Sequence, residues 1–227
     1  MELQELLKKY RDQYKPMFKP DLDKTNTFFL DFSGRNKDLE ALEFSDTLLL
    51  DNYVFSKLNS NGAIYGYGGY MENREVYKRS PLFAGSQKKA RSIHLGIDVW
   101  TESGKEVYLP LDGMVHSFQN NKQFGDYGPT IIMQHELEGI VFYTLYGHLD
   151  MDSLNGLEEG KPFKAGELLC RVGSFPVNGD WPPHLHFQIT GDLMGNKGDF
   201  PGVCLEEEKE YYRKICPDPG IFFPKLS

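Results

Sequence analysis

Cysteine is scarce. The 227-residue chain has three, Cys170, Cys204 and Cys216. That number is odd and no pair has C-x-x-C spacing, so reduced thiols in a cytosolic protein are the simplest reading. Cys204 and Cys216 could pair, and sequence does not decide it. Long basic runs are missing as well. With 25 Lys and Arg against 33 Asp and Glu, the net charge is −8, which makes a poor polyphosphate binder, so nucleic acid is not an expected partner. No stretch approaches the roughly 18 apolar residues that a membrane helix needs, so no membrane partner is expected. The N-terminus, MELQELLKKYRDQYKPMFKP, has neither an apolar signal core nor a small-residue cleavage site, and the expected location is cytoplasmic. Internal repeats and low-complexity segments are also absent.

Aromatic residues are plentiful, at 14%. A chain of this length buries roughly 70% of its unfolded surface and needs no disulfide staples. The 23 glycines and 13 prolines promise many turns between short elements. Residues 2–15 carry Leu3, Leu6, Leu7, Tyr10 and Tyr14 at helical spacing, and Pro16 stops the pattern. A second helix is expected after Ser45, ending near Asn61-Gly62. NTFFLDFS between them predicts a short strand, and AIYGYGGYM an irregular strand or loop. Residues 1–80 therefore read as a partly helical extension packed on a main body, residues 81–227.

Beyond residue 91 the texture changes. EVYLPL, GMVHSFQ, TIIMQHE, IVFYTLYG, ELLCRVG and HLHFQIT are short β-rich runs separated by glycine turns, which predicts a mostly antiparallel sheet. The chain as a whole is a β-rich α+β protein. The charge run LEEEKEYYRKI reads as a solvated helix face that CPDPG ends.

Four of the six histidines lie in three segments: IHLGIDVW with His94 and Asp98, YGHLD with His148, and PPHLHFQI with His184 and His186. On a strand, residues two apart share a face, about 6.6 Å apart along the axis, so His184 and His186 look at one site. Both could bind a metal, or one could bind while the other meets substrate. Gly96 and its β-branched flanks place His94 and Asp98 on a strand and turn, not on one helix face. Singly, each segment is as readily a structural hydrogen bond as a site. Together they provide imidazoles and a carboxylate enough for three metal ligands with a position left open, and two histidines over for proton transfer.

In this order, HxxxD, a YGHL histidine and HLHF resemble the LytM/lysostaphin-type zinc metallopeptidases. VYLPLDGMV, YTLYGHLD and EEGKPFKAGELLCRVG extend the resemblance over roughly residues 91–190. GDYGP, GDWPPHLHFQI and GDFPGVC resemble the version joined to pyridoxal-phosphate aminotransferases. The resemblance implies a twisted antiparallel sheet of the LytM-like, barrel-sandwich hybrid type. It implies one Zn2+ per chain on His94, Asp98 and His186, with His148 and His184 catalytic. It also implies a peptide or peptidoglycan-derived substrate. The N-terminal 80 residues and the tail after 191 have no counterpart in the minimal domain.

Two rivals stand beside this reading. Two histidines and a carboxylate also make the iron(II) triad of oxygenases, commonly with HxD spacing. The same fold could serve as a non-hydrolytic module that binds a peptide, a glycan or a partner. Of the remaining residues, His116 reads as a core or edge histidine and His135 as solvated at a strand end. Trp100 and Trp181 either wall the groove or fill the core. Trp181-Pro182-Pro183 forms a rigid approach to His184.

Overall fold

The computed structural model describes residues 2–83 and 90–226. Twelve short strands and three helices occur among them. Near the N-terminus are α1 (Leu3–Lys9), β1 (Thr27–Phe29), α2 (Thr47–Ser60) and β2 (Tyr65–Gly68). Next come β3 (Ile93–His94), β4 (Ile97–Trp100), β5 (Glu106–Tyr108), β6 (Gly113–Asn121), β7 (Gly128–Leu137) and β8 (Ile140–Gly147). The last are β9 (Pro162–Phe163), β10 (Leu168–Arg171), β11 (His184–Thr190), β12 (Val203–Cys204) and α3 (Lys209–Ile215). No helix among the described residues is long and apolar enough to cross a membrane.

Eight strands form one open sheet in the order β1-β2-β4-β11-β8-β7-β6-β9. Every pairing in it is antiparallel except β1 with β2, which run parallel. The sheet is therefore mixed at the edge built from the N-terminal segment. Strands β7 and β8 form a hairpin through Glu138-Gly139, both with positive φ, as a two-residue turn of matching twist requires.

The central strand β11 is buried along its whole length, so both of its faces are covered. Leu185, Phe187 and Ile189 enter the main core, with Ile97 and Val99 of β4 and Tyr146 of β8. The alternate residues, His184, His186 and Gln188, stand on the opposite face. That face carries the polar site.

The N-terminal segment packs into the same cores. Leu7, Met17, Phe18, Leu22 and Tyr65 lie in the cluster that holds Val99 and Phe187. Leu30, Phe32, Leu50, Val54 and Leu58 surround Trp100 and Trp181. Helix α2 begins with the Asp46 carboxylate accepting from Leu49 N–H at 3.1 Å and stops at Asn61 and Gly62, whose φ is +63°. Helix α1 is shorter than its periodicity predicts. It ends at Lys9 and tightens into a 3-10 turn over Arg11–Gln13, which lets Tyr14 stack on Phe222 at 4.2 Å. All three cysteines are free thiols and buried.

Candidate metal centre

Register brings the site together. His186 of β11 lies directly opposite Asp98 of β4, and His184 opposite Trp100. Facing side chains on paired antiparallel strands touch. His94 arrives on β3, which β12 pins through the pair Val203 and His94. The result is three donor atoms at the corners of a small triangle. His94 Nε2 is 3.0 Å from His186 Nδ1 and 3.2 Å from Asp98 Oδ1, and His186 Nδ1 is 3.0 Å from Asp98 Oδ1. All three residues are buried.

The other ring nitrogens show what faces the triangle. His94 Nδ1 donates to Gly69 O at 3.0 Å. His186 Nε2 donates to Gln188 Oε1 at 3.1 Å, and Gln188 Nε2 donates in turn to Pro201 O. A neutral imidazole has one N–H, and each of these is committed to a carbonyl oxygen. Each ring therefore presents a lone pair to the triangle, where Asp98 presents a third. Three acceptors about 3 Å apart repel one another unless a cation lies among them. A tetrahedron with bonds of about 2.0–2.1 Å has edges of about 3.4 Å, so the spacing suits a small divalent ion on an N,N,O set. The residues present fit such an ion.

Burial lowers the His94 ring to about 4, helped by the Arg74 charge. Burial likewise lowers His184 to about 4 and His148 well below its usual value. For Asp98, burial acts to raise the carboxyl, but the His94, Arg74 and His184 charges prevail and hold it well below the usual range. Near neutral pH His94 is therefore a bare imidazole and Asp98 a carboxylate.

His148 and His184 sit next to the triangle, with ring centroids 4.2 Å apart. Both line a cavity of about 220 Å³ with Trp100, Trp181, Tyr77, Phe83, Asp98 and His186 among its walls. His148 Nδ1 donates to Asn178 O at 2.8 Å and His184 Nδ1 to Pro182 O at 2.7 Å. Each is left with a basic Nε2, that of His184 lying 3.9 Å from Asp98 Oδ1. His148 has a φ of +62°, uncommon for a non-glycine residue. The turn is held by its N–H on Tyr127 O and by Gly173 N–H on its carbonyl. Trp100 stacks on His184 at 5.5 Å, and Trp181 meets both His148 and His184 edge-on. The tryptophans fill the core and wall the cavity at once.

The remaining two histidines lie away from the site. His116 occupies the irregularity between Val115 and Ser117 in β6 and is half-buried against Tyr143. His135 is a correction to the sequence reading. It is 2% exposed, donates from Nδ1 to Asp112 O at 2.9 Å, accepts at Nε2 from Thr144 at 2.7 Å and stacks on Phe142. The alternation of β7 turns it inward onto β8.

Sequence reasoning missed the supports of the triangle. Gln188 carried a signal, since it is two residues after His186 and so on the same face. Gly69 and Arg74 carried none. Arg74 Nη1 donates to Asp98 Oδ2, a contact made across 24 residues of chain.

Residues 92–198 match the model of peptidase family M23. This stretch is an M23 domain. All five histidine and aspartate positions lie within it, whereas Gly69 and Arg74 lie outside. None of the curated proteins compared matches the chain. Among solved structures, the M23 domain is similar to a zinc-containing peptidase from Vibrio cholerae, at 26% identity and a TM-score of 0.36, over 48% of this chain and 29% of that one. A putative peptidase M23 from Pseudomonas aeruginosa matches at 21% identity and a TM-score of 0.39, over 59% and 45%. The catalytic domain of lysostaphin from Staphylococcus simulans matches at 21% and 0.36, over 54% and 80%. The chain thus spans less than half the length of the first two. The family gives the M23 domain a peptidase-type function in outline.

Proposed function

We propose that the chain is a zinc-dependent metallopeptidase that hydrolyses a peptide bond in a short peptide or a peptidoglycan-derived one. The observation that carries this is the triangle of three lone pairs on His94 Nε2, Asp98 Oδ1 and His186 Nδ1, all within 3.2 Å of one another. These residues would hold one Zn2+, and nitrogen and carboxylate ligands in threes suit a site with an open position. When bound, the ion supplies Lewis acidity, polarising a carbonyl and acidifying a water.

The chain's own residues do the rest. His148 and His184 are uncharged near neutral pH, each fixed through Nδ1 to a carbonyl. Their Nε2 atoms accept a proton from the attacking water and return one to the leaving amine. The aromatic walls hold the substrate away from bulk water, which strengthens each of these polar contacts.

A cleavage screen tests this. Purified chain is offered muropeptides, short glycine- and D-alanine-containing peptides and simple dipeptides, with and without a chelator. The expected result is hydrolysis of at least one class, abolished by chelation and restored by zinc. Hydrolysis indifferent to the chelator, or none by a zinc-loaded chain in any class, would count against the reading.

A further inference from the structure

We infer that Arg74, outside the M23 domain, is a positioning residue that holds Asp98 to a single ligand oxygen. The inference rests on the metal reading above and names how this chain sets up that site.

The geometry is a relay of buried groups. Phe32 N–H donates to Glu72 Oε1 at 3.2 Å. Arg74 Nε donates to Glu72 Oε2 at 2.7 Å, and Arg74 Nη1 donates to Asp98 Oδ2. The Arg74 side chain is 2% exposed, Asp98 5% and Glu72 9%. The guanidinium packs near the faces of Phe32 and Trp100, 5.8 and 5.7 Å from their centroids. The backbone is fixed as well, since Arg74 N–H donates to Ser92 O and Ser33 bridges Arg74. A planar guanidinium pinned at Nε can offer Nη1 in only one direction.

Asp98 has two oxygens with different duties. Oδ2 is taken by Arg74, while Oδ1 alone faces the two histidine nitrogens. A free carboxylate beside a divalent ion can rotate to offer both oxygens. Here rotation would break a buried charge-assisted bond. Room for the guanidinium comes from Gly68, which pairs with Asp98 across β2 and β4. A methyl group there would lie 2.7 Å from the Trp100 ring and 2.8 Å from Arg74 Nη2. Ligands to metals are usually oriented by such partners, and their loss costs about 10- to 100-fold in metal affinity.

The test uses the full chain loaded with Co2+, whose visible bands are strong with four ligands and weaken with five or six. The variants are Arg74→Lys, and Arg74→Met combined with Glu72→Gln so that Glu72 is not left as a buried carboxylate without its partner. Both are expected to bind Co2+ 10- to 100-fold more weakly, with bands of lower intensity as Asp98 offers its second oxygen. If the double variant fails to fold, the lysine variant carries the test, because it retains a buried cation and lacks only the fork. Wild-type affinity, or weaker binding with unchanged bands, overturns the role of Arg74 alone. A wild-type chain that takes up no Co2+, or an Asp98→Asn chain that binds it with the same affinity and bands, overturns the metal reading and the role of Arg74 with it.

Discussion

Replacing Gly96 by alanine tests the packing of the triangle without removing any ligand. The added methyl carbon would lie 2.7 Å from His186 Cε1, 2.8 Å from His186 Nε2 and 2.7 Å from Phe187 O. Ordinary carbon contacts begin near 3.5 Å, so something must move by about 0.8 Å. Phe187 belongs to a strand paired on both sides, so its backbone is the stiffer partner. The His186 ring must give, which stretches its 3.1 Å bond to Gln188 and shifts Nδ1 away from His94 and Asp98. Overpacking of this kind costs about 1–3 kcal/mol, and a displaced ligand loses about 10-fold or more in metal affinity. Gly69→Ala is the control. Its methyl would meet nothing closer than 3.6 Å, and its carbonyl still holds His94. Zinc affinity is read by competition with a fluorescent chelator, and stability from urea midpoints. Gly96→Ala is expected to lose both and Gly69→Ala neither. If Gly96→Ala binds zinc as tightly as the parent chain, the packing of His186 does not control the site and the reasoning fails.

Other outcomes can be stated briefly. Asp98→Ala and His186→Ala should each lose the metal; full occupancy in both, measured by metal analysis, would remove them as ligands. His148→Ala and His184→Ala should keep zinc while turnover falls about 10²–10⁴-fold, and metal loss in His184→Ala would mean that the two histidines of the pair have exchanged roles. His135 should resist protonation, because burial lowers it from 6.5 to about 4. Between those values the unfolded chain binds the extra proton, so stability rises with pH there and falls as acid is added. The full effect is about 3 kcal/mol by pH 4, at about 1.4 kcal/mol per pH unit. An NMR titration in which the His135 ring inflects near 6.5 would refute this.

The parts of the molecule legible in sequence are those written in short-range patterns. The strand alternation of HLHFQIT puts His184 and His186 on one face because side-chain direction has a period of two. The cap at Asp46 and the stop at Asn61-Gly62 are local hydrogen-bond and backbone requirements, so α2 lay where it was expected. The order of His94, Asp98, His148, His184 and His186 singled out a candidate site because it resembles a known pattern. Where local pattern was all there was, the reading went astray. Helix α1 gives way at Tyr10 to a turn that serves a stack with Phe222, more than 200 residues away. His135 is polar at a strand end, yet the partner strand covers it.

Sequence alone determined the chemistry on offer: two-residue spacing on β11, a carboxylate four residues after His94, and cysteines that lie outside the histidine segments. Tertiary structure decided which atoms meet. The pairing of His186 with Asp98 is a register between strands 88 residues apart, and register depends on the whole sheet. Which nitrogen each ring presents was decided by carbonyls of Gly69, Asn178 and Pro182 and by the Gln188 side chain. Which oxygen Asp98 presents was decided by Arg74. No short-range rule encodes such contacts, and those of Gly69 and Arg74 exist only once the N-terminal segment has been added to the sheet beside β4.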